Sequence, residues 1–178
     1  HASLSQFVAP LVAARMLGAD VAFLGRFAGD EFGPRVREAL QREGIDLSWC
    51  RDDPSITTPI AIIMTDPSGE KRIVLAPTAG MSPAGDQAPD PVPETAQWLH
   101  MVAYDLDAAI EIATAFRGIP VSLDLEPATV PDGDPETMRP LIGLLDTVIV
   151  NSHACELFGG MELAIDVLRG WGPSTLLL

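Results

Sequence analysis

Polar residues with types and spacing suited to chemistry gather at four places in this 178-residue chain. Gly25-Arg-Phe-Ala-Gly-Asp-Glu-Phe-Gly33 is a glycine-punctuated turn with Asp30 inside it, and Thr57 and Thr58 open a β-rich stretch. Asp124 and Glu126 end an apolar run that begins at Ile119, and Asn151 ends another, with Glu156 a turn and a half further on. In open parallel sheets ligands bind beyond the carboxyl ends of the strands, so polar residues just past apolar runs are the ones placed to meet a ligand. Each place also has a plainer reading. Asp30 can cap the helix that starts near Glu31, Asp124 and Glu126 can be a solvated strand end or face a metal or phosphate, and Asn151 can be a loop residue before an N-capping Ser152.

The elements that must position these residues alternate along the chain. Residues 7–17 are apolar at helical spacing, with Pro10 in the first turn and Gly18 as the stop. Residues 20–25 form a nearly continuous apolar run, the pattern of a strand buried on both faces. A helix over 31–43 places Val36, Ala39 and Leu40 on one side and arginines on the other, closed by Gly44 in the left-handed position. A short extended piece follows at 47–51. Residues 57–66 and 71–76 flank Pro67-Ser-Gly and predict an antiparallel hairpin, a flap beside the main sheet. The proline-rich stretch 77–93 is too long for a simple connection and predicts a mobile loop at the flap's edge or a gap in the chain. Beyond it, strands at 98–104, 119–125, 147–150 and 174–178 alternate with helices at 107–116 (capped by Asp107), 135–145, 152–158 and 161–168. Strands separated by helical stretches mean βαβ units, so the fold class is α/β, a Rossmann-like doubly wound, mostly parallel sheet covered on both faces.

Charge and composition exclude several functions. Acids outnumber bases 25 to 11, giving a net charge of -14, which argues against nucleic acid and anionic membranes as partners. The chain is 47% hydrophobic with mean hydropathy +0.22, enough for a core, yet no apolar run suits a membrane span. Cys50 and Cys155 make no disulfide framework, which fits the cytoplasm. Lys71 is the only lysine and stands in no Walker-type loop. His153 and Cys155 lie two apart, but nothing completes a zinc set, and His100 between Trp98 and Met101 is expected to be a bonded core histidine. No nucleophile elbow is present.

Gly25, Asp30 and Gly33, preceded by Leu17-Gly-Ala-Asp-Val-Ala-Phe-Leu, closely resemble the Gly-x-x-Gly-x-Asp-x-x-Gly segment of the ribokinase-like (PfkB) carbohydrate kinases. Glu43-Gly-Ile-Asp-Leu-Ser48, Thr58-Pro-Ile-Ala-Ile-Ile-Met, Pro67-Ser-Gly-Glu-Lys-Arg-Ile73, Ser122-Leu-Asp124 and Asn151-Ser-His-Ala-Cys-Glu156-Leu agree with that family in order and spacing. The resemblance implies transfer of the γ-phosphoryl of ATP, with Mg2+, to a hydroxyl of a sugar or nucleoside. It implies one α/β domain over 1–178 with a β lid at 57–76. Asp30, Thr57, Thr58 and Tyr104 would face the substrate, while Asp124, Glu126, Asn151 and Glu156 would serve the phosphate and metal region.

Four departures qualify this picture. Ala28 replaces the family's second glycine, Ala154 stands where its Asn-x-x-Glu motif has an acid, and no diglycine precedes Gly18. The Gly-Ala-Gly-Asp segment that supplies the base and the anion hole is absent, so the base is expected beyond Leu178, the domain is expected to be incomplete on its nucleotide side, and the 178 residues alone are expected to be inactive. Two alternatives stay open: a catalytically degenerate sugar- or nucleoside-binding or interaction module of the same fold, and a generic small-molecule-binding α/β domain. A homodimer through the lid is a further expectation.

Overall fold

The computed structural model describes residues 8–178, with only the backbone of Lys71. The chain divides into two compact units, His1–Pro83 and Ala84–Leu178.

In the first unit, α1 (Val8–Met16) stops at Gly18, whose φ of +93° suits a residue without a Cβ. Phe7, the expected helix start, lies outside the described residues. β1 (Arg26–Ala28) pairs in parallel with β2 (Arg51–Asp53), and α2 (Gly33–Arg42) follows β1 and ends before Gly44 at φ +73°. Val8, Phe27, Leu40 and Ile45 form the buried centre, with Leu11, Val12, Val21 and Phe23 packed against it.

Two expectations need correction here. Residues 20–25 are no strand buried on both faces. They meet the chain at Asp46 by one bridge, with Phe23 N donating to Asp46 O at 2.9 Å and Asp46 N to Val21 O at 2.9 Å. The ladder breaks because the neighbouring segment turns away, Cys50 N bonding back to Leu47 O, and it resumes only at Arg26↔Arg51. On α2, Val36 is exposed and Arg37 is the inward residue: its guanidinium lies 4.2 Å from the Phe27 ring centroid and pairs with Asp52. A guanidinium can cover an aromatic face while keeping its donors satisfied, which an apolar/polar pattern does not anticipate.

The hairpin is formed by β3 (Ile60–Thr65) and β4 (Lys71–Ala76), antiparallel from Ile60↔Ala76 to Thr65↔Lys71. Its tip is closed by the Asp66 carboxylate, which accepts from the amides of Ser68 and Glu70, with Gly69 at φ +87°. All of β3 is exposed. The expected loop at 77–93 carries two 3-10 turns, Ala79–Met81 and Gly85–Gln87, and buries Met81, Ser82 and Gln87.

In the second unit, β5 (Leu99–Met101), β6 (Val121–Leu125), β7 (Thr147–Val150) and β8 (Thr175–Leu177) are parallel and stand in that spatial order. The crossovers hold α3 (Leu106–Ala115), α4 (Arg139–Ile142), α5 (Ser152–Leu157) and α6 (Met161–Trp171). Val121, Leu123, Leu125, Val148 and Val150 are at most 2% exposed. Each contributes about 1.5–3 kcal/mol by leaving water.

Some boundaries move. The Trp98–Tyr104 run supplies only three strand residues, since Asp105 turns the chain and caps α3 by accepting from Ala108 N at 3.1 Å; Asp107 does not cap it. The helix expected at 135–145 splits into a 3-10 turn, Pro135–Met138, and α4, because Pro140 has no N–H to donate and tolerates only a first-turn position. No helix among the described residues is long and apolar enough to cross a membrane.

Candidate functional site

In the first unit the site is built on Asp30. The turn after β1 directs its carboxylate at the start of α2, where Oδ1 accepts from Phe32 N and Gly33 N, both at 3.0 Å. The same carboxylate reaches 28 residues along the chain: Thr58 N donates to Oδ2 at 2.6 Å and Thr58 Oγ1 donates to Oδ1 at 2.7 Å. The helix starts at Gly33 with Phe32 in the N-cap position, so Asp30 is not the cap expected of it; from the preceding turn it binds the first amides of α2 and latches the outgoing arm of the hairpin. Four donors aimed at one carboxylate, the Thr58 amide foremost, hold its pKa down from 3.8 to about 2. Gly33 makes this possible, since a Cβ there would stand 2.0 Å from Ala28 O.

Thr57 is exposed, and its carbonyl accepts from Thr78 Oγ1 at 2.6 Å, tying the two arms of the hairpin together. Arg26, which the sequence reading passed over, holds the returning arm: Nε donates to Ser82 O at 2.9 Å and Nη2 to Ala79 O, while Nη1 lies 3.5 Å from Asp53 Oδ2. An arginine at a strand position between Gly25 and Phe27 was the available signal.

Cys50 is half-buried, with Sγ 3.1 Å from Phe23 O, and burial pushes its thiol up to about 11. With Cys155 buried, neither thiol is expected to react with an aromatic disulfide reagent at pH 8 in the native chain, whereas both should react in denaturant. Rapid native labelling of one thiol would contradict this placement.

In the second unit, parallel pairing of Leu125 with Val150 sets the next residues, Glu126 and Asn151, at adjacent strand ends. Asn151 is itself the cap of α5, its Oδ1 accepting from Ala154 N at 2.8 Å, so the expected Ser152 cap is corrected by one residue. Ala154 is fully buried, and Glu156 is exposed further along α5. Burial raises the Tyr104 phenol above its ordinary range, with the Glu126 and then the Asp124 carboxylate adding to the rise, so these three share one electrostatic neighbourhood. Burial also raises Asp124, opposed by His100.

His100 was expected to be a bonded core histidine; it is half-buried and bonded. Trp98 Nε1 donates to Ser122 Oγ at 2.8 Å, and His100 Nδ1 lies 2.9 Å from the same oxygen. Ser122 Oγ also donates to Leu99 O at 3.4 Å, so one hydroxyl ties Trp98, His100 and the β5 backbone together. Burial lowers the His100 pKa. Ser122→Ala should cost about 1 kcal/mol, since two ring nitrogens lose their partner, and shift Trp98 fluorescence. Chemical denaturation measures it, and an unchanged midpoint would contradict the network.

Among the described residues no three His, Cys, Asp or Glu side chains form a metal cage. Mg2+ is commonly held through one or two carboxylates together with substrate phosphates and water, so Asp124 and Glu126 at the strand end would hold it jointly with a nucleotide rather than in a closed protein cage.

Comparison with known proteins settles the family. Residues 10–166 match the model of the pfkB family carbohydrate kinases. The chain belongs to that family. It is 31% identical over 107 residues to a fructokinase of Klebsiella pneumoniae, covering 58% of this chain and 34% of that protein. It is 28% identical over 159 residues to a ribokinase of Haemophilus influenzae, covering 86% and 50%. The chain thus spans about a third to a half of the length of these curated relatives. Among solved structures, aminoimidazole riboside kinase of Salmonella enterica superposes with a TM-score of 0.75 at 23% identity, covering 93% of this chain and 59% of that one. Fructokinase of Vibrio cholerae O395 superposes with a TM-score of 0.70 at 22% identity, covering 90% and 59%. The fold is ribokinase-like α/β, as the sequence implied.

Proposed function

We propose that the protein containing this chain is an ATP-dependent kinase that phosphorylates a hydroxyl of a sugar or nucleoside, and that this chain supplies its substrate side. The observation that carries the reading is the family match over 10–166. Relatives act in the same class, with fructose and ADP bound in one solved structure and inosine in another. The hairpin at 57–76 is the lid, with Thr57 and Thr58 at its base. Asp30 acts on the substrate through Thr58, because its own oxygens serve that residue and α2. Tyr104 lines the substrate side of the second unit. Asp124, Glu126 and Asn151 order the phosphate region at the strand ends, with Glu156 at its margin. Magnesium is proposed to be held by the nucleotide phosphates jointly with Asp124 and Glu126, and the general base to lie outside the 178 residues. The two units are proposed as parts of one domain in a cytoplasmic enzyme, and the apolar residues exposed on β3 and β4 support a homodimer through the lid.

The test is to incubate the gene product that carries this chain with ATP, Mg2+ and, in turn, fructose, ribose, aminoimidazole riboside and inosine. One of them should yield ADP and a phosphorylated product in equal amounts. Saturable binding of a sugar or nucleoside without ADP would overturn the kinase reading in favour of a degenerate binding module.

A further inference from the structure

All of β3 and most described side chains of β4 are exposed, yet the hairpin's two roots are held by different means. The outgoing root is latched through Thr58 to Asp30. The returning root, 78–82, has one side-chain tie to the outgoing arm, Thr78 Oγ1 to Thr57 O. Its Ser82 hydroxyl is buried without a partner among the described residues, so this root is held by its backbone and not by Ser82's side chain. The group that holds it is the Arg26 guanidinium, whose side chain is 15% exposed and which donates to the carbonyls of Ala79 and Ser82, 53 and 56 residues away. Asp53 on the neighbouring strand β2 faces the third edge of the same fork at 3.5 Å.

We infer that Arg26 is a positioning residue that fixes the hinge of the 57–76 hairpin by clamping its returning root to β1 and β2, and so sets affinity for the substrate under the hairpin. The last clause rests on the lid reading above; the clamp does not. A planar fork with five donors spans two carbonyls and a carboxylate at once, whereas a lysine is a point donor and cannot. Loss of the fork frees one root while the Asp30 latch still holds the other, so the hairpin stays folded but swings.

The experiment compares the gene product carrying Arg26→Ala or Arg26→Lys with the unaltered protein. Amide exchange at Gly80 and Met81, whose N–H groups bond to Thr78, should rise in R26A, rise less in R26K, and fall back when guanidinium ion is added. The sugar or nucleoside KM should rise about ten- to a hundredfold in R26A, with kcat and the ATP KM nearly unchanged and with partial rescue by guanidinium. A protein that merely lost stability would show neither the KM split nor the rescue. Unchanged exchange over 78–82, or parallel changes in all three kinetic parameters without rescue, would overturn the clamp. If R26A does not fold, R26K carries the same comparison. If the unaltered protein transfers no phosphoryl group, the kinase reading fails, and the exchange and rescue measurements decide the clamp alone.

Discussion

Gly33→Ala should destabilise the first unit by about 3 kcal/mol or more, at the upper end for overpacked sites. The new methyl would stand 2.0 Å from Ala28 O, 2.9 Å from Ala28 C and 3.2 Å from Ala28 N. These are backbone atoms of β1, so no side-chain rotation relieves the contact. Either β1 leaves its ladder with β2 or α2 shifts along its axis, and a shifted α2 carries the Gly33 amide off Asp30. Thermal or urea unfolding checks this, and a variant within about 0.5 kcal/mol of the unaltered protein would show that the approach of α2 to β1 is looser than described.

Asp30→Asn should have the larger effect on substrate handling. The carboxylate is an acceptor at every lone pair it uses: toward the amides of Phe32 and Gly33 and toward the amide and hydroxyl of Thr58. In asparagine one of the two positions becomes NH2. If it replaces Oδ2 it confronts the Thr58 amide; if it replaces Oδ1 it confronts the amides of Phe32 and Gly33 and takes the acceptor from the Thr58 hydroxyl. We expect amide exchange at Thr58 to rise and the substrate KM to increase about ten- to a hundredfold, with kcat changed less. The pH dependence gives a second readout. The folded carboxyl lies at about 2, below its ordinary 3.8, so its stabilisation is complete above about pH 4 and is lost as pH falls through the folded value. Asp30→Asn should remove that acid-side slope, and an acid transition identical in both proteins would contradict the latch.

Much of this was legible because the sequence signals were local. Glycine stops, the Pro-Ser-Gly hairpin turn and the 147–150 strand depend on neighbours in sequence, and the structure places them accordingly. The family resemblance rested on motifs in fixed order, and the comparisons place the chain there. What local pattern does not encode is which distant group a polar side chain meets. Asp30 was weighed as a helix cap or a substrate residue, and its bond to Thr58 appears only once the hairpin root is folded beside it. The pattern puts Arg37 on the polar side of its helix and says nothing of Arg26; both lie inward because a guanidinium can spread over carbonyls or an aromatic ring. The strand expected at 20–25 failed for a similar reason, since apolar content gives burial but not the path of the segment it must pair with.

The central claim is that residues 57–82, hung from Asp30 and Arg26, close over a sugar or nucleoside. Amide exchange of the gene product with and without the compound it phosphorylates tests this most directly. Ligand-dependent protection is expected across β3, β4 and the Thr58 and Met81 amides, reduced in Asp30→Asn. Protection confined to the strand ends at 124–126 and 151, with the hairpin exchanging equally in both states, would contradict it.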